Sequence, residues 1–240
     1  MKKVLATLVL CISFLAVRAN AGNIIVGLPA DSGTGNCFPF GCAYTTEYQQ
    51  VYTSSLFSSV GTIDITDLEF YNTQIDLGAT TMNSGNWAIS LSTTAADWNT
   101  ISSTYAANIG ANNTLVFNGN LAQAWAFGDA LTINLTTPFL YNPAMGNLLM
   151  DVVATNTSDA NGIIYFDTNG YNGGNFNGNT IFGRVYCNGC GITTGVVNNG
   201  YGLVTGFSYG TTTTPEPTSM FLLGTALVGL AGKGLRKLRK

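Results

Sequence analysis

The sequence contains no histidine. That absence removes Ser-His and Cys-His nucleophile pairs, imidazole acid–base catalysis and histidine metal ligands at one stroke. Positive charge is almost as scarce. There are nine Lys and Arg against twelve Asp and Glu, and eight of the nine cations sit at the two ends. Lys2, Lys3 and Arg18 open the chain, and Lys233, Arg236, Lys237, Arg239 and Lys240 close it. Between Gly22 and Thr214 only Arg184 remains, against eleven acids, a net charge of −10. Such a body has no electrostatic footprint for phosphate backbones, which excludes nucleic acid as a partner. It equally excludes attraction of the body to anionic lipid. The missing lysines rule out Schiff-base and Ser-Lys chemistry, and no G-x-x-x-x-G-K or G-x-G-x-x-G loop follows a strand. Of the side chains left, Arg184 is the one that could clamp an anion.

What is present at the start is an address. "MKKVLATLVLCISFLAVRANA" has a positive n-region, an apolar run from Val4 to about Val17, and small residues at Ala19 and Ala21. This order predicts a secretory signal peptide over residues 1–21, cleaved so that the mature chain starts near Gly22. The apolar run is short for a bilayer span of about 20 residues. Cys11 lies inside that run behind Leu10, which does not fit a lipidation site.

Export makes the remaining cysteines readable as disulfides. Cys37 and Cys42 flank "FPFG", and Cys187 and Cys190 flank "NG". Four cysteines allow three pairings, and two short local bridges across these turn sequences are the simplest. A six-residue loop closed this way is worth only about 2 kcal/mol, enough to pin a turn. The rival arrangement is a four-thiolate zinc site built from C-x4-C and C-x2-C.

From residue 45 to 210 the apolar residues recur with period two, and no long helical period is present. "WAISLST" sets Trp87, Ile89 and Leu91 against small polar residues, and "ALTINLT" does the same with Leu131, Ile133 and Leu135. "YGLVTGFSYG" places Tyr201, Leu203, Phe207 and Tyr209 on one side. "NLLMDVVAT" and "GIIYF" are apolar on both faces and read as central strands. About nine or ten strands over residues 22–210 predict a single all-β domain, an antiparallel, jelly-roll-like β-sandwich. A closed barrel is the alternative.

In "GTIDITDLEFYNT" the apolar pair Ile63 and Ile65 is out of phase with Leu68 and Phe70. One extra residue near Thr66-Asp67, a β-bulge, would restore a single apolar face. It would also turn Asp64, Asp67 and Glu69 together toward solvent, as a plain solvated face or as a calcium or sugar site. Asp167 to Asn179 has five Asn and four Gly in thirteen residues and reads as a long loop. It starts like a calcium loop with Asp167 and Asn169, but Gly170 comes too early and no Glu closes it. No metal site and no cofactor are assigned, with calcium the one ion left open.

For catalysis only a carboxylate pair of the glycoside-hydrolase kind remains, drawn from Glu47, Glu69 and nine aspartates. Scattered surface acids are the commoner outcome, so no enzyme is expected. Among aromatics, Trp87 alternates with core residues and Trp125 is intermediate. Trp98 in "TTAADWNTISSTY" has no apolar partners in phase and is the candidate glycan contact.

The end of the chain is a second address. Thr211 to Thr214 form a polar linker, Pro215-Glu216-Pro217 hold the backbone extended, and 13 uncharged residues lead from Met220 to Gly232. "KGLRKLRK" then closes the sequence. Extended to Leu235 with Lys233 snorkelling, the apolar segment nearly spans a bilayer as a transmembrane helix, its cations on the cytoplasmic side.

Proline-glutamate-proline, a short apolar helix and a basic tail over residues 215–240 resemble the PEP-CTERM sorting signal of Gram-negative bacteria. The resemblance implies that exosortase, an integral-membrane transpeptidase-like enzyme, recognises Pro215, Glu216 and Pro217 and removes the segment that follows. Thr214 stands where that family often has Val. The body, through "LPADSGTGNCFPFGCAY", "YQQVY", "IGANNT" and "GLVTGF", resembles uncharacterised exported members of the same group. The resemblance implies export through the inner membrane, with transient anchoring there, to the cell surface or extracellular matrix. Partners would be exosortase, the membrane before processing, and an extracellular polysaccharide. The role expected is structural or adhesive within an exopolysaccharide or biofilm, with a carbohydrate-binding module second and a glycoside-active enzyme third.

Overall fold

The structure, a computed structural model, describes residues 21–43, 45–158, 162–172, 175–176, 178–188 and 193–211. Ala21 to Thr211 form one compact unit. The chain begins with β1 (Ala21–Val26), the two-residue β2 (Gly35–Asn36) and β3 (Thr45–Tyr52). Next come β4 (Ile63–Tyr71), β5 (Ser84–Thr94), β6 (Thr114–Gly119), β7 (Ala130–Tyr141) and β8 (Asn147–Ser158). Three short strands follow, β9 (Phe166–Asn169), β10 (Tyr171–Asn172) and β11 (Asn175–Phe176). The last are β12 (Phe182–Asn188), β13 (Val196–Asn198), β14 (Gly202–Leu203) and β15 (Thr205–Thr211).

Two large antiparallel sheets carry the fold, in the orders β1-β15-β4-β7 and β13-β12-β3-β8-β5-β6. Apart from β12, the strands of six or more residues pair from the outside of the chain inward. Thus β1 meets β15, β3 meets β8, β4 meets β7 and β5 meets β6. That nesting, one long antiparallel hairpin rolled across two sheets, is a jelly roll. The sheets stay separate among the described residues, so the barrel alternative fails.

Period-two alternation decides what lies between them. Trp87, Ile89 and Leu91 from β5 and Leu148, Met150 and Val152 from β8 are fully buried against Leu131, Ile133 and Phe207 of the opposite sheet. Aromatic edges lock the layers: Phe207 meets Tyr52 at 4.9 Å and Phe57 at 5.4 Å between ring centroids, both T-shaped. The bulge is present where the phase slip demands it. On the β15 side Asp67 pairs with Ser208 and Ile65 with Tyr209, leaving Thr66 unpaired. Ile63, Ile65, Leu68 and Phe70 thereby share the buried face, and Asp64, Asp67 and Glu69 lie half-exposed on the other.

β8, apolar on both faces, is central as expected, between β3 and β5. Its outer face is covered by a second, smaller cluster of Val51, Ile101, Tyr105, Leu149, Val185 and Cys187. The segment bearing Ile101 and Tyr105 lies close because position 110 is glycine. A Cβ there would fall 1.8 Å from the Thr93 carbonyl oxygen.

Two expectations need correction. "GIIYF" is not a strand: among Gly162 to Phe166 only Phe166 enters β9, which pairs with the two-residue strands β2 and β14. The Asn/Gly-rich stretch is not simply a loop either. Asp167 and Thr168 are buried in β9, and β10 and β11 form a short hairpin. Composition suggested exposure, but the Asp167 carboxylate is satisfied inside, by Thr73 N at 2.7 Å, Thr73 Oγ1 at 2.6 Å and Gln74 N at 3.1 Å. It therefore pins the β4–β5 connection and does not begin a calcium loop.

Candidate functional site

The fold unites two acids that are 104 positions apart in sequence. Glu47 on β3 and Asp151 on β8 both point to the outer face of the six-stranded sheet, since Tyr48 and Met150 beside them point into the core. Gln49 is the register partner of Asp151 on one side and Ser90 on the other. Gln49 is fully buried and held at both ends of its amide. Its Nε2 donates to the Tyr105 carbonyl at 3.2 Å, and its Oε1 accepts from Asn108 Nδ2 at 2.9 Å. The Tyr105 hydroxyl donates to the Glu47 carbonyl at 3.2 Å, tying the covering segment to β3.

Burial sets the protonation of this pair. Loss of solvent raises Asp151 to about 6, with Gln49 opposing through a hydrogen bond. Burial first, and then the charge of Asp151, raises Glu47 to about 7. Asp151 Oδ1 is buried without a hydrogen-bond partner. Sequence reasoning named Glu47 as one possible carboxylate but did not find Asp151. The signal was there: Asp151 is the lone charge in a run otherwise apolar on both faces.

Arg184 is not the exposed anion clamp that its solitude suggested. It is 3% exposed on β12, with Nε and Nη2 donating to Asn198 Oδ1 at 3.1 and 3.0 Å. The guanidinium carbon lies 4.5 Å from the Tyr186 ring centroid and 4.4 Å from that of Tyr201. Two π faces and an amide thus stand in for a counter-ion, and the side chain fastens β13 and the Tyr201 segment to β12.

The remaining expected residues fall as follows. Cys37 and Cys42 form a disulfide, which withdraws both thiolates from the rival zinc site. Cys187 is buried and disulfide-bonded, while Cys190 lies outside the described residues. Trp98 is half-buried, and its backbone packs on β12 so closely that a Cβ at Gly183 would meet the Trp98 carbonyl oxygen at 2.3 Å. Trp87 and Trp125 are buried, the latter donating from Nε1 to Asn72 Oδ1 at 3.2 Å. Asp67 accepts from Thr66 Oγ1 and Glu69 from the Tyr71 hydroxyl, so these two acids are engaged locally. No group of three or more His, Cys, Asp or Glu side chains among the described residues could hold a metal ion. Ala21 is the first residue of β1, whereas Ala19 and Pro215, Glu216 and Pro217 lie outside the described residues. So does the expected transmembrane helix, and no described helix is long and apolar enough to cross a membrane.

A shallow cleft opens where the edge strands β6 and β7 of the two sheets face one another. Its volume is about 260 Å³. Phe117 lines it with a partly exposed ring above the buried Leu121, Leu131 and Ile133, and Asn120, Gln123, Thr132 and Asn134 contribute amide and hydroxyl groups. Among the residues lining it none is charged.

Comparison with known proteins bears on the two ends of this picture unequally. Residues 213–237 match the PEP-CTERM protein-sorting motif. No curated protein matches the chain. Among solved structures, a chain of the T13 IBDV viral particle is similar at 10% identity and a TM-score of 0.22. The match covers 88% of this chain and 47% of the viral one, so the chain spans about half the viral chain's length. The motif is the informative match: this chain carries a PEP-CTERM sorting motif over residues 213–237 and is an exported protein processed by exosortase.

Proposed function

We propose that the body of this protein acts outside the cell as a structural or adhesive component of the surface or its polysaccharide matrix. One observation carries the reading: a sorting motif follows a disulfide-pinned jelly roll whose charge is almost entirely negative. A body so poor in cations stays soluble in an anionic matrix and meets neutral polyhydroxyl chains through amides and hydroxyls. In this reading the body binds and does not turn over a substrate. Asp151 is 7% exposed, which leaves a substrate little of that carboxylate to reach.

Fractionation of cells expressing the tagged protein tests the role. The protein should co-sediment with matrix polysaccharide after processing, and recovery wholly in the polysaccharide-free medium would overturn the proposal.

The β6–β7 cleft favours a second reading, a carbohydrate-binding module with a defined glycan. A glycan array with the exported protein distinguishes the two. Binding lost on Gln123→Ala supports the module, and no binding with or without calcium removes it. Trp98 enters the same experiment, because a glycan contact there requires Trp98→Ala to weaken binding without unfolding the body.

A further inference from the structure

Among the described residues, the acids on the outer sheet face have no cation to answer them. Arg184 is the sole Lys or Arg between Gly22 and Thr214, and its register partner is Gln50, which places it on the inner face of the sheet. There it is already engaged by Asn198 and two tyrosine rings. No histidine exists to take its place. Yet Asp151 is 7% exposed with Oδ1 unpartnered, a costly state for a buried carboxylate oxygen.

Oxygen donors stand beside Asp151 on both neighbouring strands. Glu47 is diagonal to Asp151 on the adjacent strand, within reach of a long side chain. Ser90 is directly opposite Asp151 on β5, one strand spacing of about 4.8 Å away. Gln49, itself held by Tyr105 and Asn108, flanks Asp151 on the other side. Glu47 is half-exposed, which leaves an entry side for an ion and its waters. Cys187, the cysteine of the second cluster, is disulfide-bonded.

We propose that Glu47, Asp151 and Ser90 form a site for one hard divalent cation, calcium in particular, on the outer face of the six-stranded sheet. Two carboxylates match the ion's charge, and carboxylate and hydroxyl oxygens are the ligands calcium takes. Its tolerance of irregular coordination suits three donors set by sheet geometry, with water completing the shell. Magnesium demands a near-ideal octahedron and fits this constellation less well. The ion would fasten β3, β8 and β5 at one point. The site is distinct from the Asp64, Asp67 and Glu69 face of the other sheet and does not depend on what the body adheres to.

Calorimetric titration of the chelator-treated exported protein with calcium chloride, and separately magnesium chloride, tests this. The expected result is one calcium per chain, weaker magnesium, and a raised unfolding temperature with calcium. Asp151→Asn and Glu47→Gln should each weaken calcium by about tenfold or more, because ligand charge sets affinity. Glu69→Gln should leave it unchanged. No heat and no thermal shift in the wild type at up to about 10 mM calcium would overturn the proposal. So would binding that survives both variants, or that is lost in Glu69→Gln instead. Should the variants unfold, manganese added to the wild-type protein gives the answer by nuclear magnetic resonance. Line broadening centred on Glu47, Ser90 and Asp151 supports the site, and broadening centred elsewhere sinks it.

Discussion

The body and the tail of this chain use charge in opposite ways. Between Gly22 and Thr214 there is one cation, buried between tyrosine rings, whereas the last eight residues hold five. In the body, what matters is which face of a sheet a residue occupies, since burial raises Asp151 while two tyrosine rings and the Asn198 amide let Arg184 stand without an acid. In the tail, order matters: a Pro-Glu-Pro, an apolar run, then cations. The difference teaches that structure and destination are written in separable segments. A change in one should leave the other untouched.

The largest effect that could break this separation is all-or-none. Replacing Pro215, Glu216 and Pro217 together by alanine should abolish processing, seen as an unprocessed band on an immunoblot. The unfolding midpoint of the body should not move. A fall in that midpoint would mean that the tail contributes to the fold.

Next in size is a change confined to the core. Phe207 is fully buried, edge-on to Tyr52 and Phe57. Phe207→Ala should cost about 3–5 kcal/mol in urea unfolding, while whatever protein folds is still processed at the tail.

Those two predictions rest on features the sequence already displayed. Alternation alone identified the buried faces of β5 and β7, and a phase slip located the bulge at Thr66, because a buried face tolerates no error of one residue. The tail was legible because it is linear. The acid pair was not, because Glu47 and Asp151 meet only through the pairing of β3 with β8, a contact no local pattern encodes. The cover over the outer face was hidden for a similar reason. The stretch from Ile101 to Gly110 has no period and is held by Asn108, which bonds Gln49 at a separation of 59 residues. Asp167 misled because Asn/Gly composition reports turn propensity and not the distant Thr73 that buries the carboxylate.

A smaller effect should follow from the turn at the start of the fold. Replacing Cys37 and Cys42 by serine should lower stability by about 2 kcal/mol, measured by chemical denaturation, since the bridge closes only six residues. A much larger loss would show that this bridge holds the sheets together and does not merely pin the turn.

The smallest effect is the most diagnostic of the outer face. Asp151 and Glu47 have folded-state values of about 6 and about 7, above their ordinary 3.8 and 4.5. A raised carboxyl favours the folded state while protonated, so its contribution is complete at acid pH and is lost as pH rises through those values. In chelator, the body should therefore be less stable at pH 8 than at pH 5. The part due to Asp151 is on the order of 1–2 kcal/mol after allowance for residual solvent. Asp151→Asn should raise the unfolding temperature most at pH 8 and less at pH 5, which lies between the ordinary and folded values, and so flatten the profile between them.

The central claim is that this is an exported jelly roll whose tail is an instruction for exosortase. The most direct test is the intact mass and location of the protein in cells with and without exosortase. With the enzyme, the mature protein should lack the segment after Pro-Glu-Pro and be recovered outside the inner membrane. Without it, the tail should remain and the protein should stay in the membrane fraction. Identical mass and location in both cells would contradict the account.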